Sequence, residues 1–246
     1  MVIKLRLILR RIPWSLPVKA FFLALAWFEF PYWIFTILAF ALYFFPLFQT
    51  RLMFVPFLLL IALAFAAPVS VWFTMVLASA FFLLFGIKEL HFIGREKAYE
   101  ALVLLLLFSS VILLFLRFEN WEYPYTAFWM LTLSIFFVAL MRDLTLYVRF
   151  GNYSRHEIHM TSRERIRQTA VIGLAAFLLW QISIAILFLP ISFFHQAALL
   201  FFAAAVLLEF LLEYFGGTLG RRDILMNFSF FFLLVVFVLT ASEWGL

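Results

Sequence analysis

Seven long apolar runs, separated only by short charged or proline-containing breaks, make up nearly the whole of this 246-residue chain. Few folds accommodate that pattern. A soluble core cannot hide so much apolar surface: 67% of the residues are apolar and 13% charged, against roughly 45–50% and 25% in an average soluble domain. Repeated membrane spans can, so the expected fold is an all-α, polytopic transmembrane helix bundle, residues 1–246 forming a single integral membrane domain.

Five of the runs, residues 101–116, 126–141, 169–189, 193–215 and 224–241, have the length of one crossing. At 1.5 Å per residue each spans, or nearly spans, a hydrocarbon core of about 30 Å. The first two runs, 16–48 and 52–87, are too long for that. A helix of about 36 residues would measure about 54 Å, nearly twice the core. Each run carries a proline near its middle, Pro31 in WFEFPYW and Pro68 in FAAPVS, and Trp27, Tyr32 and Trp33 around the first resemble an interfacial aromatic belt. Splitting both runs gives nine spans; splitting neither gives seven.

Splitting only one would invert everything downstream and put basic loops on both faces. With both split, the amino terminus, Arg51 and the stretches 88–100, 142–168 and 216–223 all fall inside, the carboxyl terminus falls outside, and Arg117 is the one Lys or Arg left there. Helix length therefore favours nine short spans with a cytoplasmic amino terminus, in what is expected to be the cytoplasmic membrane.

Residues 1–15 form a basic leader in which Lys4, Arg6, Arg10 and Arg11 alternate with Ile3, Leu5, Leu7 and Ile12. That pattern suits a segment lying on the inner surface ahead of an uncleaved first span, although Ala24-Leu25-Ala26 mimics a signal-peptidase site. The formal net charge of +5 resides in the breaks between apolar runs, so anionic lipid headgroups rather than nucleic acid are the expected partners. Cysteine is absent, which excludes disulfides, thiolate metal sites and cysteine nucleophiles. The 37 phenylalanines suit lipid and bundle interior alike and point to no function.

The longest connection, residues 142–168, is arginine-rich and cytoplasmic in this topology, with six Arg and two His against three acids. Thr161 followed by Glu164 fits a capping box and predicts a helix start near Ser162; Gly151-Asn152 would end the preceding helix. His156 and His159 lie three apart, as two metal ligands on one helix face would, but a zinc site needs a third and usually a fourth, so no metal is expected. Arg149, Arg155, Arg163, Arg165 and Arg167, with Arg221 and Arg222 after the GGTLG turn, are candidate contacts for phosphate or lipid headgroups, since guanidinium forks match phosphate oxygens in pairs. A positive-inside orientation signal accounts for the same residues.

Within the spans polar groups are few. Gln181 and Ser183 lie mid-span and are expected to seek interhelical hydrogen bonds. Glu209 and Glu213 are four apart on the penultimate span and share a face with His195, five turns before Glu213 at the opposite membrane surface. That stripe is expected to face the bundle, with at least one acid paired to an arginine at the cytoplasmic edge, because a lipid-facing acid near the bilayer centre costs about 2.5–3.5 kcal/mol.

No nucleophile elbow, glycine-rich phosphate loop or aspartate-rich magnesium motif occurs, so no reaction or cofactor is implied. The expected role is a non-catalytic subunit or scaffold of a membrane assembly, touching anionic lipid and a membrane protein partner. The alternatives are a lipid-processing enzyme with a cytoplasmic-face Glu/His/Arg site and a small-solute transporter, the latter opposed by the scarcity of mid-membrane polar groups.

Overall fold

The computed structural model describes residues 14–45, 53–89, 95–118, 130–142, 144, 162–217 and 220–241. Among them are nine α-helices and no strand: α1 Ser15–Glu29, α2 Tyr32–Phe44, α3 Phe54–Ala66, α4 Val71–Lys88, α5 Arg95–Phe118, α6 Met130–Arg142, α7 Ser162–Leu187, α8 Phe193–Gly216 and α9 Arg221–Ala241. Parts of α4, α5, α7 and α8 are long and apolar enough to cross a membrane: Val71–Lys88, Lys97–Leu116, Arg163–Leu187 and Phe193–Gly216. The protein is therefore an all-α, multi-pass membrane helix bundle. Shorter apolar helices, α2, α3 and α6 among them, accompany these four; α2 and α3, at 13 residues each, measure only about 20 Å.

Both over-long apolar runs break where their prolines fall. Proline disfavours helical backbone in the residue before it, and Phe30 and Ala67 are both extended, at φ −104°, ψ 157° and φ −73°, ψ 140°. Each still donates its N–H to the helix it terminates, Phe30 to Ala26 O at 3.0 Å and Ala67 to Leu63 O at 2.8 Å. After the second break Ser70 caps α4: its hydroxyl accepts from Phe73 N–H at 3.3 Å, and its carbonyl accepts from the Thr74 hydroxyl at 2.8 Å.

The chain forms two compact units, residues 1–106 and 107–246, whose boundary falls within α5. In the first unit α1 against α4 is the principal helix pair. The buried face of α1 carries Leu16, Ala20, Leu23, Ala24 and Trp27, a spacing of three and four that keeps them on one side; that of α4 carries Leu77, Ala80, Phe81, Leu84 and Phe85. Alanines in both faces let the backbones approach without a hydrophobic drive, which lipid does not supply between helices.

Contacts at the helix ends fix the direction of all four. At the proline breaks, the buried Trp27 indole donates from Nε1 to Ala64 O at 2.8 Å, and the Tyr32 ring lies 5.4 Å from that of Phe65. At the other ends, Lys19 Nζ is 2.8 Å from Glu89 Oε1, the Tyr43 ring stacks on Phe57 at 4.0 Å, and Lys88 Nζ stands 5.1 Å from the Tyr43 ring centroid. The helices therefore run up, down, up, down as two hairpins, with both proline turns at one end. Exposed aromatics mark the two ends, Trp33 and Trp72 beside the prolines, Trp14 and Phe45 opposite, as interfacial side chains do.

In the second unit α8 packs against α7 and α9, and Phe108 of α5 meets Phe201 of α8 edge to face at 5.2 Å. The α7 to α8 turn contains Pro190, and Gln196 Nε2 closes it by donating to Leu189 O at 3.0 Å. Gly217 ends α8 in the left-handed region at φ +70°, donating its N–H back to the last turn, the role that residue most often plays after a helix. On α9, Leu225, Met226, Phe228, Phe230, Phe232, Leu233 and Phe237 are exposed. Such faces are stable only in an apolar solvent, which is what the bilayer supplies.

Candidate functional site

The helix predicted to begin near Ser162 does begin there, and it brings Arg163, Arg165 and Arg167 out as the exposed first turns of α7. Arg167 reaches across to α8: its Nε donates to the Tyr214 hydroxyl at 2.7 Å, and its guanidinium carbon lies 5.4 Å from the Tyr214 ring centroid. The same tyrosine thus offers an acceptor oxygen and an electron-rich ring face to one cation. This contact sets the arginine end of α7 beside the carboxyl end of α8, where Glu213 precedes Tyr214. Arg221 opens α9 just past the Gly217 turn, and Arg222 is exposed there.

Glu209 and Glu213 do not present one buried face. Glu209 is exposed and Glu213 is half-buried, because residues four apart on an ideal helix still diverge by about 40°. His195 is half-buried at the far end of α8, where its Nδ1 is 2.6 Å from Ser192 Oγ. Arg149, Arg155, His156 and His159, like the leader through residue 13 and Arg51, lie outside the described residues.

A second polar cluster, not anticipated, sits at the non-proline end of the first unit. Lys88 is fully buried at 0% exposure, Tyr43 and Tyr99 are likewise buried, and Lys19 and Glu89 form the close pair. Two cations and one carboxylate are thereby gathered at one end of the α1 to α4 hairpins. Lys19 was the available signal: it is a single cation inside the first apolar run, three residues into that run. Position along the chain gave no hint that residue 89 would meet it.

Several hydroxyls within the helices bond carbonyls of their own helix. Ser183 was expected to bond across helices; it is 1% exposed, and its hydroxyl instead donates to Trp180 O at 2.7 Å. Ser134, Ser79, Thr36 and Thr240 likewise donate to carbonyls three or four residues back, the habit that lets short polar side chains sit in a helix without a partner elsewhere. Gln181 is exposed.

Among the described residues no group of three or more His, Asp or Glu gathers closely enough to hold a metal ion. No family model matches the chain, nor does any curated protein or solved structure.

Proposed function

We propose that this chain is a non-catalytic subunit or scaffold of a membrane assembly, with a cytoplasmic edge that holds anionic lipid headgroups. The carrying observation is the arginine end of the second unit. Arg163 and Arg165 stand exposed at the head of α7, and Arg167 is anchored to α8 through Tyr214. Arg222 heads α9. Guanidinium groups at the start of a span, at headgroup depth, suit bidentate contact with phosphate oxygens. Arg149 and Arg155 in the preceding connection would add to the same basic layer. Glu213 beside Tyr214 acts in this reading as a counter-charge that spaces the arginines, with Glu209 one turn deeper.

The topology belongs to the same proposal: nine crossings in one membrane domain, amino terminus in the cytoplasm and carboxyl terminus outside. What supports it is the hairpin arrangement of α1 to α4, with both proline turns at one end and Lys19, Lys88 and Glu89 at the other. Positive-inside bias puts the basic end in the cytoplasm.

Native mass spectrometry of the gently solubilised protein tests the headgroup reading. Wild type is expected to retain phosphatidylglycerol or cardiolipin over phosphatidylcholine, and the triple variant Arg163→Gln/Arg165→Gln/Arg167→Gln to lose most of that preference. A wild type without preference, or a triple variant that keeps it, refutes the headgroup site. Conversion of the retained lipid would move the assignment to a lipid-processing enzyme.

A further inference from the structure

The three arginines at the head of α7 are all exposed, but they do not share a face. At 3.6 residues per turn, Arg163 and Arg167 diverge by about 40° and lie about 6 Å apart along the axis, whereas Arg165 points about 160° away from both. A charge that serves only to orient the chain in the membrane is indifferent to that difference. A site that grips one ligand is not.

A contact to the next helix singles out the Arg163 and Arg167 face. Arg167 Nε donates to the Tyr214 hydroxyl at 2.7 Å, with the guanidinium carbon 5.4 Å from the ring centroid. Tyr214 is half-buried in the last turn of α8, its ring 5.2 Å from that of Phe215 and its carbonyl accepting from Gly217 N–H at 3.3 Å. The tyrosine is thus the fixed member of the pair, and the exposed arginine is the member it holds.

This bond decides what the guanidinium has left to offer. With Nε–H given to Tyr214, the donors on Nη1 and Nη2 remain, and together they match two oxygens of one phosphate. Among the described residues no carboxylate pairs with Arg167. The tyrosine oxygen accepts in this contact, so its own proton remains to be donated, and no described residue receives it. A long side chain loses rotamer freedom when it takes a ligand, and one already held loses less.

We propose that Arg163, Arg167 and Tyr214 form a site for one phosphate group, with Arg165 outside it. Tyr214 positions Arg167 so that the end of its guanidinium takes two phosphate oxygens, and gives its own hydroxyl proton to a third. Arg163, one turn nearer the aqueous surface, supplies the second cation. The lipid source of that phosphate rests on the headgroup reading; the selection of two arginines and a tyrosine goes beyond it.

Native mass spectrometry of the full chain, comparing retention of phosphatidylglycerol with phosphatidylcholine, tests the site variant by variant. Arg165→Gln is expected to keep the wild-type preference, and Arg163→Gln and Arg167→Gln each to lose most of it. Tyr214→Phe keeps the ring and loses the hydroxyl, and its preference should fall about threefold to tenfold. Arg167→Lys keeps the charge without the fork and should lose as much. Because the two residues act through one contact, the double variant Tyr214→Phe/Arg167→Lys should lose less than the product of the single losses. The melting temperature in lipid-free detergent shows separately that each variant is folded. Equal losses from all three arginine variants would mean a diffuse basic layer and overturn the site, as would an unchanged preference in Tyr214→Phe or losses that simply multiply. Those results leave the headgroup reading standing, whereas a wild type without preference removes both. Millimolar inorganic phosphate added to lipid-free protein is expected to leave the melting temperature unchanged. A rise that Tyr214→Phe abolishes would keep the three-residue site and overturn its lipid source in favour of free phosphate.

Discussion

Replacing Lys19 by Gln removes the ammonium that Glu89 holds at 2.8 Å, while the carboxylate stays where only 8% of its side chain is exposed. A charge kept in such a place after losing its ion-pair partner is costly even with Lys88 nearby, whereas removing both members of the pair is less so. Lys19→Gln and Glu89→Gln should each destabilise the protein by about 1–3 kcal/mol, below the about 3–5 kcal/mol of a fully buried pair because Lys19 keeps some exposure. The double variant should recover part of that loss, with a coupling of at least about 0.5 kcal/mol in a thermodynamic cycle. Strictly additive losses would show that the two groups do not act as a pair. Trp27 makes a different kind of bond. Its indole donates to the Ala64 carbonyl at 2.8 Å, which α3, so near its own end, does not use for an internal bond to Pro68. Trp27→Phe keeps the packing and loses the donor, so a fall in stability of about 1 kcal/mol is expected on thermal unfolding; a wild-type melting temperature would mean that the bond contributes nothing net.

Proline decides the architecture of the individual elements in the amino-terminal half. Since Phe30 and Ala67 are extended and the contacts of Trp27 with Ala64 and Tyr32 with Phe65 bring the two turns together, single cysteines at Phe30 and Val69 should be labelled by an impermeant maleimide from one side of the membrane. Cysteines at Trp14 and Phe45 should be labelled from the other. Labelling of Val69 and Phe45 from the same side would break the second hairpin. These breaks were legible in the sequence because proline acts locally: it lacks an N–H and constrains its predecessor whatever surrounds it. The α7 start at Ser162 and the glycine turn after α8 were legible for the same reason. Local rules are silent on which face of a uniformly apolar helix turns inward. Glu209 therefore proved exposed where a shared inward stripe with Glu213 was expected, and Ser183 found its acceptor on its own helix. The approach of Arg167 to Tyr214 and of Lys19 to Glu89 spans 47 and 70 residues, distances over which one sequence carries no pairing signal.

If the short helices cross as the nine-span proposal has it, they set the preferred solvent thickness for the molecule as a whole. At 13 residues, α2 and α3 reach about 20 Å against a typical core of about 30 Å, and each ångström of mismatch costs a fraction of a kcal/mol in bilayer deformation. Thermal stability in nanodiscs of monounsaturated phosphatidylcholine is expected to be highest with 14-carbon chains and to decline through 18 and 20 carbons; an optimum at 20 carbons would contradict the short-span reading. The self-contained hydroxyls have a further consequence, for inheritance. Where short polar groups such as Ser79, Ser134 and Ser183 bond their own backbone and outward faces ask only for apolarity, exchanges among Phe, Leu, Ile and Val on those faces carry little penalty, and a lineage can rewrite most of its letters while the bundle stays the same. What should persist through such drift is a sparse punctuation: Pro31, Pro68, Ser70 and Gly217, Trp27 with its bond to a backbone carbonyl, and the pairs Lys19 with Glu89 and Arg167 with Tyr214, where one side chain answers to another.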